Sequence, residues 1–257
     1  MRIVFFGATE LGYQCCEKLL QQGEAIVGIF TIEQNFNISN SSSPVKNVLF
    51  RDFNSLGKQF NIPVITINGN LKSHLAQLTQ LNPDFLLVVG WYYMIPKSML
   101  TLAPKGAAAI HASLLPAYRG NAPLVWAMIN GEKETGVSFF YISEGVDEGD
   151  IIAQEIFAIE DSDTIKELLN KTSSSAINIV SKYVPLIRKG SAPRIPQFKG
   201  ITKVYVKRNP EDGLIDWNWD ANAIKNFIRA QTKPYPGAYT FINNKKVIIW
   251  DADIIDE

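Results

Sequence analysis

Apolar and polar positions along this chain follow two rhythms. Short apolar runs bounded by glycine or proline read as buried strands, and longer stretches with an apolar residue every three or four positions read as helices. Arg2–Phe6 is a run of the first kind and ends in Gly7; Leu11, Cys15, Leu19 and Leu20 then recur at helical spacing until Gly23. A second strand is predicted at about Ala25–Thr31, a helix from about Val45 to Phe60, an extended piece at Ile62–Val64, a helix near Leu71–Leu81 and a buried strand at Phe85–Val89. This alternation predicts an α/β fold with a doubly wound, Rossmann-like, mostly parallel sheet. Between the second strand and the following helix, Glu33–Ser43 is rich in asparagine and serine and lacks apolar anchors, which predicts a mobile loop.

The middle of the chain, Ala107 to Gln154, reads as strand, loop, helix, strand, acidic loop, strand. The apolar run Ala107–Ile110 delivers His111 at its end, so the imidazole is expected at the carboxyl edge of a strand, where open α/β sheets bind ligands. A second β-rich run, Val137–Ile142, empties into Ser143–Asp150, which carries Glu144, Asp147, Glu148 and Asp150. A neighbouring strand would bring one of these carboxylates to His111. Ser162-Asp163 is read as the cap of a long amphipathic helix reaching about Arg188, and Lys189–Pro196, with a glycine and two prolines, as a linker. Beyond it come a helix from Asp220 to Ala230 and a hairpin, Ala238–Ile242 and Lys245–Ile255, turning at Asn243-Asn244. The expected organisation is a catalytic domain over 1–188 and a small C-terminal α+β subdomain over 189–257, resembling the start of a β-barrel. So few elements need the first domain to dock against.

With 257 residues and 46% hydrophobic content the chain can bury a large core. Its 25 lysines and arginines balance 25 aspartates and glutamates, so no basic field is available for non-specific nucleic-acid binding. The only cysteines, Cys15 and Cys16, are adjacent, which excludes a disulfide between distant parts and fits no zinc site; no metal is expected. The absence of a signal-like start, and of any apolar run approaching roughly twenty residues, predicts a cytoplasmic protein with no membrane partner. The turn Gly7-Ala8-Thr9-Glu10-Leu11-Gly12 lacks the middle glycine of a dinucleotide fingerprint and sets a carboxylate where a pyrophosphate would need amide donors, so a dinucleotide cofactor is disfavoured. His74, on a polar helix, reads as a surface residue.

The string His111-Ala112-Ser113-Leu114-Leu115-Pro116, with Arg119-Gly120 after it, and then Gly145-Val146-Asp147-Glu148-Gly149-Asp150, resembles the folate-dependent formyltransferase family, and the resemblance covers nearly the whole chain. It implies transfer of a formyl group from 10-formyltetrahydrofolate to an amine. His111 would polarise or protonate the formyl oxygen, and Asp147 would orient the imidazole and pass protons. Ser113 and Asn121 are candidate supports, while Asp150 would brace the loop. The aromatics of Gly90–Pro96 read as edge packing or as the wall of a pocket. The resemblance implies the pocket, with Trp91, Tyr92, Met94 and Ile95 lining a folate cleft together with Leu114, Leu115, Gly145 and Val146. Arg119 is either a loop brace or a contact for an anionic ligand. One position departs from the family: Ala109 stands where the pattern has an asparagine whose amide donates to the oxyanion. Loss of such a donor costs about a hundred- to a thousand-fold in rate. Either another group such as Asn121 substitutes, or the enzyme is slow, or the chain is a non-catalytic folate- or nucleotide-binding homologue.

Two acceptor classes compete, methionyl-tRNA and amino-sugar nucleotides. Ser43-Pro44-Val45-Lys46 resembles the tRNA-modifying group, but Gln34–Asn40 before it has no lysine or arginine, the chain stops after one hairpin, and the formal charge is +0. Lys207-Arg208-Asn209-Pro210-Glu211-Asp212-Gly213-Leu214-Ile215-Asp216-Trp217 looks more like the sugar-nucleotide N-formyltransferases. Arg208 would then be available for a diphosphate, the alternative being a salt bridge to Glu211 or Asp212. The expected partners are a sugar nucleotide and a folate, with no nucleic acid and a homodimer left open. A glycinamide-ribonucleotide acceptor is disfavoured by Thr9-Glu10 in the first turn, and hydrolytic deformylation of the folate remains an alternative.

Overall fold

In the computed structural model, which describes residues 1–37, 44–67, 69–198, 200 and 202–255, the chain opens with β1 (Ile3–Phe6), four apolar residues buried on both faces as in a central parallel strand. Helix α1 (Glu10–Gln21) follows, its first turn capped by Thr9, whose hydroxyl accepts from the Gly12 amide at 3.3 Å. A Cβ on Gly12 would run into the Val89 carbonyl, so glycine there permits close approach of helix and backbone. Strand β2 (Ile26–Ile32) leads to a short antiparallel pair, β3 (Asn35–Phe36) with β4 (Val45–Lys46). Next come α2 (Asn54–Phe60), β5 (Val64–Ile67), a 3-10 turn at Leu71–His74, α3 (Leu75–Gln80) and β6 (Phe85–Val88).

The helix expected over Val45–Phe60 is only its last seven residues. The preceding stretch is tied down by Asn47, whose amide donates to the Ala8 carbonyl at 2.8 Å and whose oxygen accepts from the Leu49 amide at 3.0 Å. Such side-chain-to-backbone bonds compete with a helical ladder. The asparagine-rich loop also has an apolar anchor after all, since Phe36 is buried and its ring lies 4.9 Å from that of Tyr92. Residues 38–43 of that expected mobile loop lie outside the described residues.

The chain continues through α4 (Lys97–Leu100), β7 (Ala107–His111), β8 (Arg119–Gly120), α5 (Pro123–Ile129), β9 (Glu134–Tyr141), β10 (Ile151–Ala158) and α6 (Ile165–Lys189). Seven strands form one sheet in the order β10-β9-β7-β6-β1-β2-β5; the pairings from β7 through β6, β1 and β2 to β5 are parallel, and β7 with β9 is antiparallel. The fold is therefore the doubly wound, mostly parallel α/β class. The strand order reverses beside β1, so the carboxyl ends of β1, β6 and β7 define the ligand-binding edge. An apolar cluster including Val4, Phe6, Phe30, Leu86, Val88 and Met99 fills one face. The cap of α6 is not Ser162-Asp163 but Thr164: its amide and hydroxyl donate to Glu167, while Asp163 accepts from Lys171.

The described residues divide into two compact units. The first comprises Met1–His111, Ser138–Gln154 and Ser173–Gln197; the second comprises Ala112–Val137, Glu155–Thr172 and the chain from Phe198. Within the second, α5 packs with Ile159, Ile165, Leu168 and Ala230, the residue just after α7 (Ala221–Arg229). Asp220 caps α7 by accepting from the Ala223 amide at 2.9 Å. Strand β11 (Val204–Tyr205) runs parallel to β8, and a 3-10 turn spans Pro210–Gly213. The hairpin is β12 (Ala238–Ile242) with β13 (Lys245–Ile249), and Asn243 and Asn244 both take left-handed backbone angles (φ 48° and 61°), as the tight two-residue turn requires. The second hairpin strand stops at Ile249 and not Ile255, because its partner β12 begins at Ala238, the residue paired with Ile249.

Candidate active site

The last residue of β7 is His111: the parallel pairing with β6 ends two residues earlier at Ala109, while the antiparallel neighbour β9 keeps Ser138 in register with His111. The His111 side chain is 10% exposed, so most of the ring is withdrawn from water while the strand end leaves one side open. Between β9 and β10 the acidic loop folds back, and Asp147 Oδ2 lies 3.6 Å from His111 Nδ1, with the carboxylate 21% exposed. That separation is outside the hydrogen-bond range of about 2.7–3.2 Å but well within reach of charge on charge. Asp147 holds this place at φ 52°, a left-handed angle uncommon for a residue with a side chain.

The rest of the loop is anchored residue by residue. Glu144 takes Lys97 Nζ at 2.5 Å; this contact lowers the Glu144 pKa and raises that of Lys97. Asp150 lies 3.8 Å from Arg194, whose guanidinium stacks 3.6 Å above the Tyr141 ring. Gly149 sits so near the Tyr141 carbonyl that no Cβ would fit. Gln197 Nε2 donates to the carbonyls of Asp147 at 2.8 Å and Gly149 at 2.7 Å. Neither Arg194 nor Gln197 carries a motif signal, because their work is done on backbone and on residues some fifty positions away.

The loop after β6 brings more of the expected residues to the same edge of this unit. Ile95 is buried in the apolar cluster, and Trp91 packs edge-on against Phe6 at 5.5 Å with an indole N–H that is buried and has no hydrogen-bond partner. Tyr92, Met94 and, on the acidic loop, Val146 are exposed. The Tyr92 hydroxyl donates to Asn47 Oδ1 at 2.9 Å, which fixes its ring. Gly145 is half-buried beside Glu148. Ala109 pairs with Val88 and Phe140 and packs half-buried against the same cluster as Trp91.

The remaining candidates belong to the second unit. Ser113 is fully buried and donates to the Ala117 carbonyl at 2.7 Å; Leu115 is buried, and Leu114 fills the space that a Cβ on Gly136 would need. Arg119, also buried, donates to Thr202 at 2.9 Å. Asn121 is exposed, with its amide on the Tyr205 carbonyl. Arg208 makes neither of the salt bridges considered for it: it donates to the Asp212 backbone carbonyl at 2.7 Å and to Gln231 Oε1 at 2.8 Å. Its guanidinium lies 4.8 Å over the Trp126 ring, and burial depresses its pKa. The Asp212 carboxylate is instead spent on the Asn209 amide in a capping box. Among the described residues no group of three or more His, Cys, Asp or Glu is placed to hold a metal ion, and no helix is long and apolar enough to cross a membrane.

A largely buried imidazole with a carboxylate beside it, at the carboxyl edge of a doubly wound sheet, can polarise a carbonyl oxygen and move protons, which is the equipment of a group-transfer enzyme. The family model described as formyl transferase matches residues 1–184, and that described as formyl transferase, C-terminal domain, matches residues 207–257. The chain belongs to the formyl transferase family and is an enzyme of that kind. Among solved structures it is similar to HypX from Aquifex aeolicus (19% identity, TM-score 0.68, covering 98% of this chain), although it spans only 38% of that protein's length. It is also similar to methionyl-tRNA formyltransferase from Clostridium thermocellum (20% identity, TM-score 0.68, covering 99% of this chain and 94% of that one). A third is the N-formyltransferase from Helicobacter canadensis in complex with folinic acid and dTDP-3-aminofucose (20% identity, TM-score 0.71, covering 96% of this chain and 86% of that one). At such identities the likeness concerns the fold.

Proposed function

We propose that this enzyme transfers a formyl group from 10-formyltetrahydrofolate to the amine of an amino-sugar nucleotide. The observation that carries the reading is the His111–Asp147 pair, 3.6 Å apart at the sheet's carboxyl edge. In that role His111 donates to the formyl oxygen as it gains charge, and Asp147 holds the imidazole and accepts a proton that the attacking amine must lose. The donor is a substrate with a flat ring system. The exposed Tyr92, Met94 and Val146, on the loops that flank β7, present the kind of apolar surface such a ring needs. Ile95, Trp91 and Gly145 belong to the same expected lining, within a catalytic domain over 1–188 that is followed by a C-terminal subdomain over 189–257.

The acceptor assignment rests on charge. Formal charge is +0, and Gln34–Asn40 has no lysine or arginine to meet an RNA backbone. Arg208, by contrast, keeps its charge among neutral acceptors and an aromatic face, a setting suited to a diphosphate. The dTDP-3-aminofucose bound by the Helicobacter canadensis protein supports the same class. The test is to incubate the enzyme with 10-formyltetrahydrofolate and a panel of UDP- and dTDP-linked 4-amino and 3-amino sugars, with methionyl-tRNA alongside. Mass spectrometry should find one added formyl group on a sugar nucleotide. Formylation of methionyl-tRNA alone would overturn the acceptor, and ligand binding with no product anywhere would overturn catalysis.

A further inference from the structure

We propose that the segment Arg194–Gln197 is a strap across the acidic loop, and that Gln197 is the positioning residue that holds Asp147 against His111. This rests on the reading of that pair as the acid–base machinery and adds the part that sets its geometry. Three contacts make the strap. Ile195 exchanges backbone hydrogen bonds with Ile151, the first residue of β10, at 2.8 and 3.0 Å. Arg194 reaches both shoulders of the loop, its guanidinium stacked on Tyr141 and 3.8 Å from Asp150. Gln197, buried, uses both hydrogens of one amide nitrogen, on the carbonyls of Asp147 and Gly149.

The loop needs such a clamp. Asp147 sits at a backbone angle that residues with a side chain rarely adopt, so the conformation persists only where surroundings over-determine it. Glu144 is engaged by Lys97 and Asp150 by Arg194, whereas Asp147 lies 3.6 Å from His111. At 3.6 Å there is little slack: a displacement of about 1 Å costs on the order of a hundred-fold in a positioned reaction. The strap holds the backbone on the carboxyl side of that side chain, at the carbonyl of Asp147 itself and at that of Gly149.

The chain's two histidines make this measurable. With histidine labelled in nitrogen-15, NMR follows His111 and the exposed His74 separately, the latter serving as an internal control. Gln197→Met keeps the volume and removes both donors. The expected result is a fall in kcat of about ten- to a hundred-fold with KM within about two-fold. The His111 ring nitrogen-15 shifts, which report the tautomer that a carboxylate at Nδ1 favours, should move in the direction that Asp147→Asn moves them, while those of His74 stay put and the circular dichroism spectrum is retained. His111 ring shifts equal to wild type in Gln197→Met, with Asp147→Asn moving them, overturn the strap. If Gln197→Met does not fold, Gln197→Asn, one methylene too short to span both carbonyls, gives the same two readouts. The spectrum requires no acceptor, so failure of the sugar assignment leaves it intact; ring shifts insensitive to Asp147→Asn would instead remove the acid–base pair and the strap's role with it.

Discussion

His111 and Asp147 lie at element ends, where replacing a side chain changes chemistry before it changes packing. On the proposed roles, His111→Ala and Asp147→Asn should each lower kcat by about a hundred- to ten-thousand-fold with the circular dichroism spectrum unchanged; wild-type turnover in both would sink the mechanism. Ala109 offers the opposite experiment. It is half-buried two residues before His111, paired with Val88 and Phe140. Ala109→Asn is expected to raise turnover by about ten-fold or more with little change in KM, since the new donor would act on the oxyanion alone. A fall in turnover would show that another group already supplies that hydrogen bond and is crowded by the amide. His111 was legible in the sequence because a polar side chain at the end of an apolar run stands out, whereas the choice of Asp147 among four loop carboxylates, and the notice taken of Ala109, came from the family resemblance. Gln197 was not legible, because an amide that bonds two backbone carbonyls leaves no pattern, and neither was Arg208's stacking on Trp126, which depends on the tertiary path of two distant segments.

At the scale of elements, the apolar runs of β1, β2 and β6 were read to within a residue or two, whereas helix starts went astray where short polar side chains chose between capping and turning. Asn47 turned Val45–Lys46 into a strand by bonding Ala8 and Leu49, and Thr164 took the cap assigned to Ser162-Asp163. The second case makes a prediction. Thr164 caps the start of α6: its hydroxyl accepts from the Lys166 amide at 3.2 Å and donates to the Glu167 carboxylate at 2.5 Å. The hydrogen bond from the Thr164 hydroxyl, then that from its amide, lowers the Glu167 pKa. A carboxylate whose folded pKa is depressed contributes stability above its unfolded value, and that contribution is lost as pH falls through the folded value. Thr164→Ala should therefore cost about 1 kcal/mol at neutral pH, or roughly 2–4 °C in Tm. The exposed carboxylate adds little beyond the cap itself because solvent screens it. The deficit relative to wild type should shrink below about pH 4.3, where Glu167 becomes protonated in the unfolded chain and then in the folded one. A thermal-melt difference that is flat from neutral to acid pH would mean that the carboxylate takes no part in the cap.

Taken as a whole, the molecule balances 25 basic against 25 acidic side chains, which on the proposed reading favours a small acceptor over a nucleic acid. A protein that neutralises many phosphates of a nucleic acid releases condensed counterions, and its affinity falls steeply as salt rises; six to ten contacts lose about a thousand-fold or more between 50 and 200 mM. A sugar nucleotide carries a short diphosphate with no condensed ion atmosphere, so a single fork such as Arg208 would engage it with a shallow dependence. The KM for the sugar nucleotide is accordingly expected to rise by less than about three-fold over that salt range. Added bulk tRNA should not inhibit at low salt, where any electrostatic affinity for it would be greatest. Arg208→Lys keeps the charge but loses the planar fork and the stacking on Trp126, and should raise KM with kcat little changed. Arg208→Met, which removes the charge as well, should also flatten what salt dependence remains. If tRNA instead competes at low salt and is released as salt rises, the acceptor is a polyanion and the sugar assignment fails. If neither substitution moves KM, the guanidinium braces the Asp212–Gln231 turn, and the diphosphate is held elsewhere.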